Sequence, residues 1–228
     1  MFDRNQTVAS VVLEHSECAA IFQRNRIDFC CRGNLSIEAA AQERGIAVEP
    51  LLAELRRATE ERQGEPQEDL RALSTPRLIA RIITKHHEYL RQAMPFIQAL
   101  ASKVSRVHGE HNPKLRELHA AVEALAGELI PHLETEEVEL FPALTAKDAD
   151  PARIAPLLAA MQAEHLGVAA LLERIRAAAD DFTLPDWACN SYRTLFQELK
   201  QLESDTFAHV YLENHVLQPR FAPDGRAS

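Results

Sequence analysis

The stretch HLETEEVELFP, residues 132–142, decides the fold that this sequence predicts. It places a histidine, His132, and a carboxylate, Glu136, one helical turn apart inside an apolar pattern, so both lie on one face of a helix. The same arrangement returns in HVYLE, residues 209–213. We therefore expect two helices to bring polar side chains into an otherwise apolar interior.

The apolar stripes of the long helical segments indicate which polar side chains point inward. Residues three or four apart share a helix face, and His132 and Glu136 continue the leucine stripe of the second long segment. His209 and Glu213 continue the stripe of the fourth segment, and His165 lies on that of the third. Three helices are thus predicted to point metal-ligating side chains into the core.

The first long segment has two adjacent histidines, His86 and His87, near the centre of its apolar stripe. On a helical wheel both lie close to the inward direction, and His86 is slightly nearer the middle. Periodicity alone does not choose between them.

A metal centre explains the inward carboxylates. A buried carboxylate without a partner costs several kcal/mol and would usually take up a proton, whereas metal coordination replaces its lost water. Four histidines and two glutamates without thiolate suit iron or manganese and also admit zinc. Six side chains exceed the needs of one tetrahedral zinc, and two bridging carboxylates predict two ions about 3.5–4 Å apart. The neighbouring Glu137 and Glu139 are expected on the solvated side of their helix.

The composition narrows the class of protein. Glycine is scarce, at 7 residues, and alanine, leucine, glutamate and arginine prevail, which is typical of an α-helical chain. The formal net charge is −9 without a basic stripe, so we expect no nucleic-acid partner. No apolar run approaches the roughly 18 residues that span a bilayer, and no signal-peptide pattern is present. Four cysteines are too few for a disulfide scaffold, which predicts a reducing cytoplasm.

Turn and capping signals divide the chain into two helical parts. Short helical segments in residues 1–60 predict a small N-terminal domain. Residues 61–75 are polar and contain glycine and proline, so we expect a linker there. Four long amphipathic segments with short connections in residues 76–220 predict an up-down-up-down four-helix bundle. We expect Thr75 to cap the first of these helices and the fourth to begin near Pro185.

The cysteines leave alternatives open. Cys30 and Cys31 lie in a turn-like break, where adjacent thiols rarely bond to each other because the resulting ring is strained. Either one is a small buried hydrophobe and the other is incidental, or the pair binds metal, reacts with nitric oxide or exchanges disulfides. We expect Cys18 and Cys189 in the core and the cysteine turn to be exposed.

With these residues in hand, the chain resembles the RIC (repair of iron centres) family of di-iron proteins of the ScdA/YtfE type. Its N-terminal part carries DFCCRG, residues 28–33, and its bundle carries HHEYLR, residues 86–91, followed by Pro95. The other motifs are HLETEEVELFP, the EH pair at 164–165, and HVYLENHVLQP at 209–219. The resemblance covers nearly the full length, and the two-cysteine segment makes it specific.

The resemblance implies a fold and a ligand set. The fold is all-α: a haemerythrin-like up-down-up-down four-helix bundle with a small N-terminal helical domain of the ScdA type. The first ligand matches His87 rather than His86, and two iron ions form a non-haem di-iron centre. The implied metal ligands are His87, His132, Glu136, His165, His209 and Glu213, with the two glutamates as bridges.

Three positions depart from related patterns. Oxygen-carrying haemerythrins have a second histidine four residues after the one on the third helix; this chain has Ala169 there, which implies fewer ligands and more open coordination. Arg32 stands where the family often has glycine, which bears on the local turn. Gln218 replaces a frequent phenylalanine, which should affect packing rather than ligation.

The implied function is repair of iron–sulfur clusters damaged by nitric oxide or oxidative stress in a bacterial cytoplasm. It would proceed by iron delivery, by nitric oxide chemistry at a carboxylate-bridged iron pair, or by both. Cys30 and Cys31 are candidate thiols that receive or relay iron or a nitrosyl group. Alternatives are a scavenger or sensor of nitric oxide or O2, and a nitric oxide or nitrite reductase; iron storage is disfavoured because nothing indicates a shell-forming assembly. The apolar N-terminal helices predict a homodimer.

Overall fold

The computed structural model describes residues 2–61 and 69–222, and every regular element in those ranges is a helix. Thr7 and Ser36 form an isolated β-bridge, and no strand is present in the two described ranges. The predicted all-α class is confirmed. Residues 62–68 of the predicted linker over residues 61–75 lie outside the described residues, and its described part includes a 3-10 turn at Leu70–Ala72.

The described chain divides into two compact units, one running up to Leu73 and resuming at Val210, the other spanning Ser74–His209. The helices of the first unit before Leu73 are α1 (Val8–Glu14), α2 (Ala19–Arg24), α3 (Ile37–Glu43) and α4 (Val48–Glu61), with 3-10 turns at Ser16–Cys18 and Leu70–Ala72. Side-chain oxygens of Thr7 and Ser36 cap α1 and α3 by accepting backbone N–H groups. Gly45 follows α3 with a φ of 67°, in the left-handed region that glycine adopts most easily.

The helices of the second unit are α5 (Thr75–Ile82), α6 (Glu88–His108), α7 (Lys114–Thr135), α8 (Phe141–Thr145), α9 (Pro151–Ala178) and α10 (Asn190–Leu212), the last of which ends in the first unit. Three π-helical turns continue them: Ile83–His87 joins α5 to α6, Glu136–Leu140 joins α7 to α8, and Glu213–Leu217 follows α10 before a 3-10 turn at Gln218–Phe221. Helices α6, α7, α9 and α10 share one hydrophobic core, which includes Ile97, Leu125, Leu172 and Leu199.

Two predicted helix starts are wrong. Ser74, not Thr75, is the N-cap of α5, because the Ser74 carbonyl accepts the first helical hydrogen bond, from the Leu78 N–H at 2.9 Å. The fourth bundle helix begins at Asn190 rather than near Pro185. The Ala188 N–H bonds back to the Pro185 carbonyl at 3.0 Å, so this segment forms a turn instead of a first helical turn.

The two outlying cysteines differ in burial. Cys18 is buried as predicted, and burial raises the pKa of its thiol to about 12. The prediction that Cys189 lies in the core is wrong: it is exposed, and its Sγ lies 3.2 Å from His108 Nε2. In the turn before α10 it is the Trp187 ring that packs on His108, with ring centroids 5.6 Å apart.

Helix α9 qualifies the expectation that no segment approaches the length of a membrane span. By length and composition alone this helix is long and apolar enough to cross a membrane, with a mean hydropathy of 1.4 over 18 residues. Much of that hydropathy comes from alanine, and the helix places Val168 and Leu172 in the bundle core. A single helix of this kind is weak evidence and does not indicate a membrane protein.

Candidate metal centre

Three of the predicted ligands lie in the π-helical turns. His87 is the last residue of the first π turn, and Glu136 and Glu213 are the first residues of the other two. A π turn holds more residues than an α turn, and π turns within long helices are frequent at functional sites. The extra residue breaks the regular three-four spacing, which is why periodicity could not choose between His86 and His87.

A single carboxylate lies among four imidazole rings. One oxygen of Glu136, Oε2, is 3.4 Å from His87 Nε2 and 3.8 Å from His209 Nε2. The other oxygen, Oε1, is 3.4 Å from His132 Nε2 and 3.8 Å from His165 Nε2. All five residues are at most 4% exposed. The four histidines come from four different helical segments of the second unit, so the bundle itself assembles this cluster.

The ligand atoms of this cluster form two groups that share Glu136. His87 and His209 belong to one group, His132 and His165 to the other, and within each group the atoms lie within 4.8 Å of one another. Imidazole nitrogen and carboxylate oxygen together suit a divalent transition metal. A cation would also offset the free-energy cost of burying the carboxylate charge. The residues present therefore fit a metal centre.

Glu213 is the sixth predicted ligand. It lies one turn beyond His209 and its side chain is fully buried. The boundary between the two units falls between His209 and Val210, inside this continuous helical segment. Four-residue spacing places side chains on a similar side of a helix, as the sequence pattern predicts.

Carboxylates also contact the outer nitrogens of two rings. His87 Nδ1 lies 2.7 Å from Glu137 Oε1, and His132 Nδ1 lies 2.6 Å from Glu164 Oε2. The expectation that Glu137 belongs to the solvated side of its helix is therefore wrong. Its side chain is 27% exposed, because the π turn beginning at Glu136 directs two consecutive glutamates toward the same histidine. Sequence analysis missed this role, and the doubled glutamate was the available signal.

His86 is buried but lies outside both ligand groups. Its Nδ1 is 3.0 Å from Asp205 Oδ1, and its ring stacks on the His209 ring with centroids 5.9 Å apart. Both adjacent histidines thus point into the bundle, and the structure places His87 rather than His86 beside Glu136.

The two adjacent cysteines form a compact turn in the first unit. Asp28 Oδ1 accepts hydrogen bonds from the backbone N–H groups of Cys30, at 3.0 Å, and Cys31, at 2.8 Å, and from the Cys30 thiol at 3.1 Å. The two sulfurs are 3.7 Å apart, and neither cysteine forms a disulfide. The expectation of an exposed turn is wrong for Cys30, which is 1% exposed, whereas Cys31 is half-buried. Burial raises the pKa of the Cys30 thiol well above its ordinary value, so it stays protonated.

The C-terminal segment anchors this thiol turn within the first unit. Asn214 Nδ2 donates to the Cys30 carbonyl at 3.0 Å, and His215 Nε2 lies 2.8 Å from the same oxygen. Gly33 has no room for a side chain, because a Cβ there would lie 2.3 Å from the Phe29 carbonyl oxygen. The residues that hold Cys30 therefore come directly after Glu213 in the chain.

Comparison with protein families identifies both parts of the chain. Residues 78–221 match the family described as Hemerythrin HHE cation binding domain. Residues 4–59 match ScdA_N, described as a domain of unknown function, DUF542. The predicted metal ligands all lie in the first match, and the adjacent cysteines lie in the second.

Curated relatives match along almost the whole length. The chain is 32% identical over 219 residues to the iron-sulfur cluster repair protein YtfE of Yersinia pseudotuberculosis serotype IB (strain PB1/+), covering 95% of this chain and 96% of that protein. It is 30% identical over 224 residues to the iron-sulfur cluster repair protein ScdA of Staphylococcus haemolyticus (strain JCSC1435), covering 97% of this chain and all of that protein. The chain therefore belongs to the family of the iron–sulfur cluster repair proteins YtfE and ScdA, as its motifs predict.

Proposed function

We propose that this protein repairs iron–sulfur clusters damaged by nitric oxide or oxidative stress, using a pair of iron ions held in its helical bundle. The observation that carries the proposal is the buried Glu136 carboxylate, which faces one imidazole from each of four helical segments. The printed names of the YtfE and ScdA relatives support cluster repair as the task. The partners would then be damaged iron–sulfur proteins.

Two ions account for the ligands better than one. In this proposal His87 and His209 would hold one iron, His132 and His165 would hold the other, and Glu136 and Glu213 would be the carboxylates that the two ions share. Two overlapping ligand groups around Glu136 support this division. Two-metal sites place their ions about 3.5–4 Å apart, a separation that bridging carboxylates can span.

The third helix supports open coordination. It offers His165, but Ala169 follows one turn later, where oxygen-carrying haemerythrins have another histidine. Bound iron would supply a position for nitric oxide or peroxide and a source of iron for a damaged cluster. The chain's own contribution is to hold four buried imidazoles with their Nε2 atoms toward Glu136 and to exclude bulk water.

The thiol turn would contribute through Cys31. A thiol accepts iron as a thiolate, and the buried Cys30 is kept protonated by its raised pKa. Cys31 is the more accessible of the two, so we assign to it the role of receiving or relaying iron or a nitrosyl group. If the Cys30→Ala/Cys31→Ala variant restored clusters as well as the unmodified protein, this part of the proposal would be wrong.

Reactivation of an iron–sulfur enzyme damaged by nitric oxide tests the main proposal. The iron-loaded protein should restore its activity, whereas an equal amount of free ferrous iron and the iron-free protein should restore much less. The Glu136→Gln variant keeps the size of the side chain and removes its charge, so it should fail as well. Equal recovery with free iron would contradict the proposal.

Binding of nitric oxide or O2 is a second candidate, because Ala169 leaves the third helix one histidine short of the oxygen-carrying pattern. Stoichiometric binding without turnover would favour a scavenger or sensor. Steady conversion of nitric oxide to N2O would favour a reductase.

We also assign the protein to a reducing cytoplasm, because none of its four cysteines forms a disulfide. A homodimer remains a prediction, which sedimentation analysis of the full chain would test.

A further inference from the structure

One carboxylate oxygen of Glu137 links His87, a predicted metal ligand, to a partly exposed arginine. Glu137 Oε1 lies 2.7 Å from His87 Nδ1 and also accepts a hydrogen bond from Arg91 Nη1 at 2.7 Å. Exposure of the side chains rises along this chain of contacts, from 0% at His87 through 27% at Glu137 to 36% at Arg91. An arginine in contact with solvent is thus two hydrogen bonds away from a fully buried predicted ligand.

These contacts fix which nitrogen of His87 carries the proton. A guanidinium can only donate hydrogen bonds, so Glu137 Oε1 accepts from Arg91 Nη1, and the cation at 2.7 Å favours the ionised form of this carboxylate. An ionised carboxylate only accepts hydrogen bonds, so His87 Nδ1 must donate. The proton on Nδ1 leaves the lone pair on Nε2, the atom that lies 3.4 Å from Glu136.

The two contacts on Glu137 have opposite effects on His87. A carboxylate that accepts the outer N–H of an imidazole orients the ring and makes it a stronger metal ligand. Arg91 binds the same oxygen and neutralises part of its charge, which weakens that effect. We propose that Glu137 and Arg91 are positioning residues that tune the His87 side of the metal centre in opposite directions. Glu137 strengthens metal binding there and Arg91 weakens it.

This inference rests on the proposed di-iron centre and concerns the release of one of its two ions. Iron delivery requires an ion that is held and yet given up, and the pair of Arg91 and Glu137 would set that balance at the His87 position. If the salt bridge between Arg91 and Glu137 only stabilised the fold, removing either partner would change iron release in the same direction. The two single variants therefore distinguish tuning from mere structural support.

The test measures the rate at which the full-length, iron-loaded protein releases iron to an excess of a ferrous chelator. Glu137→Gln should speed the release of one of the two irons by about 10-fold or more, as for other outer-contact changes. Arg91→Gln should slow the release of the same iron. The matched controls are Glu117→Gln and Arg174→Gln, which remove the partners of an exposed ion pair between α7 and α9 and should leave both rates unchanged.

The Glu137→Gln/Arg91→Gln double variant tests whether Arg91 acts through Glu137 or through its charge alone. Arg91→Gln should have no further effect in the Glu137→Gln background, because the path to His87 is already broken. Shifts of both single variants in the same direction, or an Arg91→Gln effect that persists in the double variant, would overturn the inference. If Glu137→Gln does not fold, the direction in which Arg91→Gln changes the rate of iron release still decides: faster or unchanged release contradicts the inference.

An unmodified protein that binds no iron would overturn the proposed function as well, whereas failure of the variants alone would leave that function intact.

Discussion

Glu136 in the second unit and Cys30 in the first are both almost entirely buried polar groups, at 2% and 1% exposed. The surroundings of Glu136 favour a charged side chain, whereas those of Cys30 favour a neutral one. Glu136 faces four imidazoles, a setting that suits a carboxylate and a cation together. Cys30 is buried beside Asp28 and Cys31, and burial together with these two neighbours keeps the thiol neutral. Burial therefore does not define a reactive group; the neighbouring charges decide whether the ionised form is stable.

Glu136→Gln should produce the largest effect. It removes the charge that both ligand groups share, so we expect most of the bound iron to be lost while the helical content is retained. Metal analysis and circular dichroism of the purified variant measure both quantities. The rate at which Cys31 reacts with a thiol reagent should stay unchanged in this variant. Full retention of iron would contradict the claim that the site around Glu136 depends on a buried charge.

Gly33→Ala should disturb the thiol turn. The new Cβ would lie 2.3 Å from the Phe29 carbonyl oxygen and 2.8 Å from Ala9 Cβ, and we expect a loss of about 1–3 kcal/mol in the free energy of unfolding. Urea denaturation measures this loss. Gly127→Ala in α7 is the matched control: apart from the backbone of its own helix, no atom would lie within 4 Å of the new Cβ, and alanine in a helix should stabilise by about 0.5–1 kcal/mol. Equal effects of both substitutions would contradict the packing of Gly33.

Cys31 should be the faster-reacting thiol of the pair. Because Cys189 is exposed, the comparison is made in a Cys189→Ser background, near pH 8. Cys31→Ala should abolish the fast alkylation phase, and Cys30→Ala should leave it. The Cys30 thiol should react only as the pH rises toward its raised pKa, since the thiolate is the reactive form. A fast phase that disappears in Cys30→Ala instead would contradict the burial of that residue.

Sequence patterns predicted the helical class and pointed His132, His165 and His209 inward, because these residues follow regular stripes in α-helices. They also pointed Glu136 inward, since it is the first residue of its π turn and continues the stripe of α7. They failed at residues that lie further into a π turn. The π turn Ile83–His87 directs two consecutive histidines inward, and periodicity cannot rank two neighbours in such a turn.

The contacts made by Glu137 and Cys30 depend on tertiary structure and could not be read from spacing. Glu137 is five residues beyond His132, a position that an ideal helix turns away from the interior, and its partner His87 lies on another helix. Cys30 is buried because Asp28, Asn214 and His215 hold its turn, and the last two residues are distant in the chain.

The metal content of the purified protein, measured together with its optical spectrum, tests the central claim most directly. The two ligand groups around Glu136 predict about two iron ions per chain, lost in the His132→Ala variant. One zinc ion per chain, or iron that persists in His132→Ala, would contradict the account.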